Sequence, residues 1–253
     1  MLRTNLASVI LQMKHLRLGA VEEFPFIDPP DPRQVRDGYA TLREIGALDE
    51  AMELTDIGRV LATLPVDPRL GRMVIAAREL HCLTEVLVIV AALAVQDPRE
   101  RPLDRQKDAD AAHAIFRAPD SDFVTWLNLW KWWQDELAGS SHSRLRRTCK
   151  ARFLSYVRMR EWQDVHRQLR EQVSQLGWKL NLEPASYEAI HRALIPGLLG
   201  NVGARGAGFE YEGIRGRKFH LFPGSTVFHK KPSWVVSAEI VETTRVYART
   251  VAM

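Results

Sequence analysis

Residues 218–251 read KFHLFPGSTVFHKKPSWVVSAEIVETTRVYARTV. Apolar and polar side chains alternate along Lys218-Phe219-His220-Leu221-Phe222, which places Lys218 and His220 on one face of a strand. Trp234–Val241 and Thr243–Val251 are rich in β-branched and aromatic residues, and Phe209–Tyr211 has the same character. Glycines at 197, 200, 203, 206 and 208 precede these segments. Their spacing is wrong for a dinucleotide loop, and strands rather than a helix follow, so the run reads as a flexible hairpin. Short strands separated by glycine turns over residues 186–253 predict a small antiparallel barrel. The sequence ends at Met253 directly after the last strand, with no closing strand in sight, so the barrel is expected to be incomplete.

Working upstream, the texture turns helical. Leu70, Met73, Val74, Ala77 and Leu80 form one stripe at helical spacing. Val86–Val95 is an unbroken apolar run; a membrane span needs about 20 such residues, so this run is a buried core helix. Asp97–Asp108 is a polar connector. Ser121 is placed to cap a helix that lines up Phe123, Trp126, Leu127, Trp130, Trp133 and Leu137. An aromatic stripe at that spacing reads as core before it reads as a base-stacking platform. Further upstream, Asp31-Pro32 and Thr55-Asp56 start two short helices joined by a turn, which fits a winged-helix unit. Its second helix, Asp56–Leu64, offers only Arg59 to a nucleic-acid groove and reads as a packing element. Residues 1–18 read as one more helix, too short to stand alone, and are taken as the tail of something preceding. The expected fold is mainly α with a C-terminal all-β part: winged helix, helical bundle, small barrel.

The composition excludes several classes. Hydrophobic residues make up 46% and charged residues 26%, which excludes a disordered chain. Cys82 and Cys149 cannot build a disulfide framework and read as buried thiols of a reducing cytoplasm. The N-terminus shows no signal peptide, so a cytoplasmic location is expected. No G-x-x-x-x-G-K-[ST] loop or G-x-S-x-G elbow occurs, and none of the 8 histidines sits at zinc-ligand spacing, so no catalytic or metal constellation is expected.

The charge is distributed unevenly. Lys plus Arg number 35 against 31 Asp plus Glu, a formal charge of +4. Residues 144–160 nevertheless hold Arg144, Arg146, Arg147, Lys150, Arg152, Arg158 and Arg160 with no acidic residue. Like charges three and four positions apart repel, and an external anion would relieve them; simple solvation is the competing reading. A second cluster in the barrel region holds Arg205, Arg215, Arg217, Lys218, Lys230 and Lys231, interleaved with Phe219, Phe222, Phe228 and Trp234. Cations plus aromatics are the ingredients of a single-strand groove, although the aromatics could equally fill the barrel.

In this order the segments resemble the C-terminal accessory region of DEAH-box RNA helicases, with the bacterial HrpA-type branch most similar. The resemblance rests on RTNLASVILQMKHL (3–16), FIDPPDPRQV (26–35), LREIGALDE (42–50), ELTDIGRVLATLPVDPRLGRMVIAA (53–77) and VIVAALAVQDPRERPLD (88–104). It continues through SDFVTWLNLW (121–130), FLSYVRMREWQDVHRQLR (153–170) and FPGSTVFHKKPSWVVSAEIVETTR (222–245). It implies that residues 1–18 end a RecA-like domain, 19–68 form a winged helix, 69–185 a ratchet-like bundle and 186–253 an OB-fold. It further implies a partner, single-stranded RNA, and a RecA-like motor in cis upstream or in trans, with no membrane. ATP and Mg belong to that motor and no cofactor to this chain. Lys150, Arg152, Arg158 and Arg160 from the bundle, with Arg215, Arg217, Lys218, Lys230 and Lys231 from the barrel, are the expected phosphate cations. Two other classes stay open: a winged-helix regulator reading duplex DNA, and a scaffold that docks only proteins.

Overall fold

The computed structural model describes residues 6–206 and 208–253, apart from the side chain of Arg215. The described residues form two units, one from residues up to 86 with 168–197 and one from 87–167 with 198–253. None of the described helices is long and apolar enough to cross a membrane.

In the first unit, aspartate-proline pairs set the helix starts. Asp31 accepts the Arg33 N–H at 2.7 Å with Pro32 opening α2 (Pro32–Glu44), and Asp67 accepts that of Arg69 at 2.9 Å with Pro68 opening α4 (Pro68–Glu79). α1 (Leu6–His15) crosses α2 at close range: a Cβ on Gly38 would lie 2.7 Å from Ile10 Cδ1. Between α2 and α3 (Asp56–Leu61) the wing is reduced to a single bridge, Leu48 with Leu54. Thr55 caps α3, accepting from the Gly58 N–H at 3.0 Å while donating to the Gly46 carbonyl at 2.6 Å. α3 ends three residues before the expected Leu64, because the Thr63 and Leu64 N–H groups turn to carbonyls three residues back and tighten the chain.

α5 (Leu83–Ala94) starts in this unit, and Asn181 caps it from afar. Asn181 Oδ1 accepts the Thr84 N–H at 2.8 Å, and Glu85 accepts from Asn181 Nδ2 at 3.0 Å and the Ala185 N–H at 2.9 Å.

The second unit contains α6 (Gln106–Ala114), α7 (Asp122–Gly139), α8 (His142–Ala151) and most of α9 (Tyr156–Gln175). Trp126, Trp133 and Trp162 are buried, with Trp126 edge-on to Trp162 at 5.5 Å and the Trp162 Nε1–H donating to the Val88 carbonyl at 3.0 Å. The tryptophan stripe is thus core, as its spacing predicted. The polar connector is pinned: the Glu100 N–H donates to the Phe153 carbonyl and the Ser155 N–H to that of Pro98, each at 2.8 Å.

α10 (Tyr187–Leu198), all but its last residue in the first unit, continues through Pro196. A proline in the last turn removes one bond rather than breaking a ladder.

The barrel is closed by five strands in the order β1-β2-β3-β5-β4. These are β1 (Val202–Arg205), β2 (Glu210–Gly213), β3 (Lys218–Leu221), β4 (Trp234–Glu242) and β5 (Val246–Ala252). The expected gap is therefore corrected. The strand missing from the sequence reading is β1, hidden in the glycine run, and it pairs with both β2 and β4. β1 carries too little side chain to read as a strand because the barrel needs it small. A Cβ on Gly203 would lie 2.4 Å from Phe219 Cζ, so the buried Phe219 ring takes the space that a Gly203 side chain would fill. Tyr211, Phe219, Leu221, Val227, Val235, Ala248 and Val251 form the interior.

Bundle and barrel are joined through the start of α7. Asp122 is 9% exposed, and its Oδ1 accepts from both the backbone N–H and the hydroxyl of Thr226 at 2.9 Å. Its Oδ2 accepts the Val251 N–H of β5 at 2.9 Å. Ser121 caps α7 and bridges Ala252, and Asp120 forms an ion pair with Lys230.

Candidate nucleic-acid interface

The β1–β2 turn, the β4–β5 turn and the segment before β4 converge at one mouth of the barrel. They enclose a groove of about 570 Å³ whose wall includes Arg205, Phe209, His220, Lys231, Arg245 and Tyr247. β1 delivers Arg205 and then stops at Gly206, which throws Phe209 out on the following turn, 62% exposed. Arg205 Nη1 donates to the Lys231 carbonyl at 2.6 Å, and Lys231 Nζ stands 4.0 Å from the Phe209 ring centroid. The Lys231 cation is therefore held against an aromatic face but has no carboxylate partner among the described residues. Beneath them the Tyr211 hydroxyl donates to the Pro232 carbonyl at 2.9 Å. Burial pushes that phenol's pKa up, and the Arg205 charge partly offsets the rise. His220 Nδ1 lies 3.2 Å from the Phe209 carbonyl, fixing the turn on which Phe209 sits. The groove thus combines three cations with exposed rings, against one lining carboxylate, Glu210. That chemistry suits a chain of phosphates carrying flat bases.

The nine expected cations fall in different places. Lys231 lines the groove. Lys218 sits at its edge, bonded at 3.1 Å to Glu210 Oε2. Lys230 is spent on Asp120. Arg217 is exposed, and its guanidinium reaches the Ile240 carbonyl at 3.5 Å. Arg215 lies in a turn, and its side chain is outside the described residues. In the bundle, Arg158 Nη1 donates to the Asp97 carbonyl at 3.1 Å. Arg152 ends α8, with Lys150 exposed beside it. Arg160 is half-buried, and its Nε is buried without a hydrogen-bond partner among the described residues. Arg245, Phe209 and Tyr247 were not singled out in the sequence, although turns between barrel strands are where such grooves are built. Arg59, the one cation on α3, donates to the Leu54 carbonyl at 2.7 Å and pairs with Asp56 at 2.6 Å, which removes it as a base reader.

A closed barrel with a basic, aromatic mouth, joined to a tryptophan-cored bundle and following a reduced winged helix in the chain, defines a helicase-associated region. Family models agree segment by segment. They match the helicase associated domain (HA2), winged-helix, over residues 40–66, its ratchet-like part over 67–163, and the oligonucleotide/oligosaccharide-binding (OB)-fold over 190–253. The chain thus carries the helicase-associated winged-helix, ratchet-like and OB-fold segments, and HrpA helicases are similar to it along its length. It is 48% identical over 99% of its length to the ATP-dependent RNA helicase HrpA of Escherichia coli, and 46% identical over 99% to the HrpA homolog of Haemophilus influenzae. It is 29% identical over 99% to the pre-mRNA-splicing factor ATP-dependent RNA helicase prp22 of Schizosaccharomyces pombe. The chain spans about a fifth of the length of these relatives (20%, 20% and 21%).

Proposed function

We propose that this chain is the RNA-gripping part of an ATP-dependent RNA helicase, holding the sugar-phosphate backbone of a single strand with little sequence preference. The observation that carries this reading is the barrel mouth, where Arg205, Lys231 and Arg245 share one groove with Phe209 and Tyr247. The cations take phosphates and the rings take bases, so contact depends on charge and stacking rather than on base edges. Lys150, Arg152, Arg158 and Arg160 extend the grip along the bundle. The RecA-like motor, in cis upstream or in trans, turns domain motion into translocation of the held strand.

The residues of this chain do not fit ATP or Mg. The sequence has no P-loop, and the described residues contain no His, Cys, Asp and Glu group able to hold a metal. Both belong to the motor. The buried thiols Cys82 and Cys149, each pushed up to about 11 by burial, suit a reducing cytoplasm.

The test is fluorescence anisotropy with labelled oligo(U) at two salt concentrations. Each phosphate contact on a single strand contributes a slope of about −0.7 in log K against log salt, which is about fivefold at 0.1 M. Arg205→Gln with Lys231→Gln should therefore cost about 25-fold and flatten the slope by about 1.4. Binding that ignores both the salt and this substitution refutes the reading.

A further inference from the structure

The winged-helix unit carries a second basic groove that the barrel reading does not use. It has a volume of about 460 Å³ and is lined by Lys14, Glu22, Arg36, Tyr39, Arg43 and Met52 among others. Arg36, Tyr39 and Arg43 stand at positions i, i+3 and i+7 of α2, one face of the helix, and Lys14 joins them from the last turn of α1. At a rise of 1.5 Å per residue the two arginines are about 10 Å apart along the axis.

The helix dipole accounts for only part of this cluster. Lys14 and Arg43 each lie in the last turn of a helix, where a cation is favoured, but Arg36, the fifth residue of α2, has no such role. Neither arginine's side chain is hydrogen-bonded or ion-paired to another described residue, and the same holds for the Lys14 ammonium. Glu44, the carboxylate next to Arg43 in sequence, is turned away to Arg69, which it holds at 2.9 and 3.2 Å. Some other cations of this unit are matched, Arg59 by Asp56, Arg69 by Glu44 and Arg192 by Glu188. Three unmatched cations and one exposed carboxylate therefore share one concavity. The Tyr39 phenol lies among them, its pKa raised by burial and by the Glu22 charge, so it stays a neutral donor. An acidic peptide would need an enclosed apolar socket to anchor it, and this open groove, with four charged residues among its seven, offers none.

We propose that Lys14, Arg36 and Arg43 form an additional phosphate-binding contact for single-stranded RNA on the winged-helix unit. The proposal rests on the RNA reading above, but its failure can be told apart from that reading's failure. Labelled oligo(U) is titrated into the full 253-residue chain, into the Lys14→Gln, Arg36→Gln, Arg43→Gln variant, and into the barrel variant Arg205→Gln, Lys231→Gln. A fourth protein, Arg36→Gln with Arg43→Gln, changes only exposed side chains and covers the case in which the triple variant misfolds. Three lost contacts should weaken binding about 100-fold at 0.1 M salt and flatten the salt slope by about 2; two should give about 25-fold and 1.4. Glu22→Gln should tighten binding, a response that a purely structural role for the groove would not produce. Unchanged affinity and slope in the α1–α2 variants, with the barrel variant weakened, overturns this contact and leaves the barrel grip standing. The reverse pattern overturns the barrel grip alone, and no binding by the unmodified chain overturns both. If poly-glutamate displaces oligo(U) as well as unlabelled RNA does at equal charge, the groove is an acidic-peptide site and the RNA proposal falls.

Discussion

Removing the Asp122 carboxylate should uncouple the barrel from the bundle. Its two oxygens meet three donors: the Thr226 N–H and hydroxyl on one side and the Val251 N–H on the other, all at 2.9 Å. Asp122→Ala leaves the Val251 N–H without a partner on a fully buried residue (0% exposed), at a cost of about 1–3 kcal/mol. Losing the charged bonds to Thr226, whose groups are half-buried and can turn to water, adds about 1.5–3 kcal/mol. The total is about 2.5–6 kcal/mol, a large part of a typical domain stability of about 5–15 kcal/mol. Asp122→Asn separates geometry from charge. Its remaining oxygen can serve Val251, while its amide turns to Thr226, whose hydroxyl reverses to accept; only one half-buried N–H is then stranded. That substitution should cost about 1–2 kcal/mol. Tryptophan fluorescence in urea is the assay, because Trp126, Trp130, Trp132, Trp133, Trp162 and Trp234 lie in the second unit and only Trp178 in the first. Equal midpoints for the wild type and the alanine variant would refute the account. An asparagine variant as damaged as the alanine variant would show that charge, rather than the number of acceptors, holds the joint.

Gly203→Ala should destabilise the barrel by about 1–3 kcal/mol through overpacking on Phe219, and Phe219→Leu in the same chain should recover part of that; urea midpoints decide. His113 and His191 both have pKa values lowered by burial, so the unfolded chain binds protons first. Their contribution to stability is complete above the unfolded value of about 6.5 and is lost as pH falls below it. A pH series of unfolding midpoints should show that decline and its flattening in the His113→Gln, His191→Gln variant. Asn181→Ala should fray the start of α5 by about 1–2 kcal/mol, since it removes the acceptor for the Thr84 N–H and a donor to Glu85; helical circular dichroism and urea report it.

The helices were legible because their signals are local. Asp31-Pro32, Thr55 and Ser121 announce helix starts within a few residues, and the structure uses all three as caps. The α5 cap was not legible: Thr84 looks like the starter, but its N–H is satisfied by Asn181, 97 residues away. β1 was missed for a related reason. A strand is recognised by its side chains, and at Gly203 the side chain is supplied by Phe219 from β3. Where the fold fills a position from a distant segment, the local sequence is depleted of the features by which it would be recognised.

The same reasoning applies to charge and decides which cations can grip a strand. A run such as Arg144–Arg160 looks uncompensated because sequence shows only near neighbours. Folding brings carboxylates from elsewhere: Asp120 reaches Lys230 across 110 residues. Each cation so engaged must break an existing contact before it can hold a phosphate, which subtracts from affinity and from the salt slope together. Cations held by carbonyls or rings keep their charge outward at less cost, and this describes Arg205 and Lys231 at the barrel mouth. Lys230 and Lys231 are adjacent and chemically identical, yet one is a strut to Asp120 and the other a groove cation. Lys230→Gln should therefore lower the stability of the barrel joint with little change in salt slope, and Lys231→Gln should do the opposite.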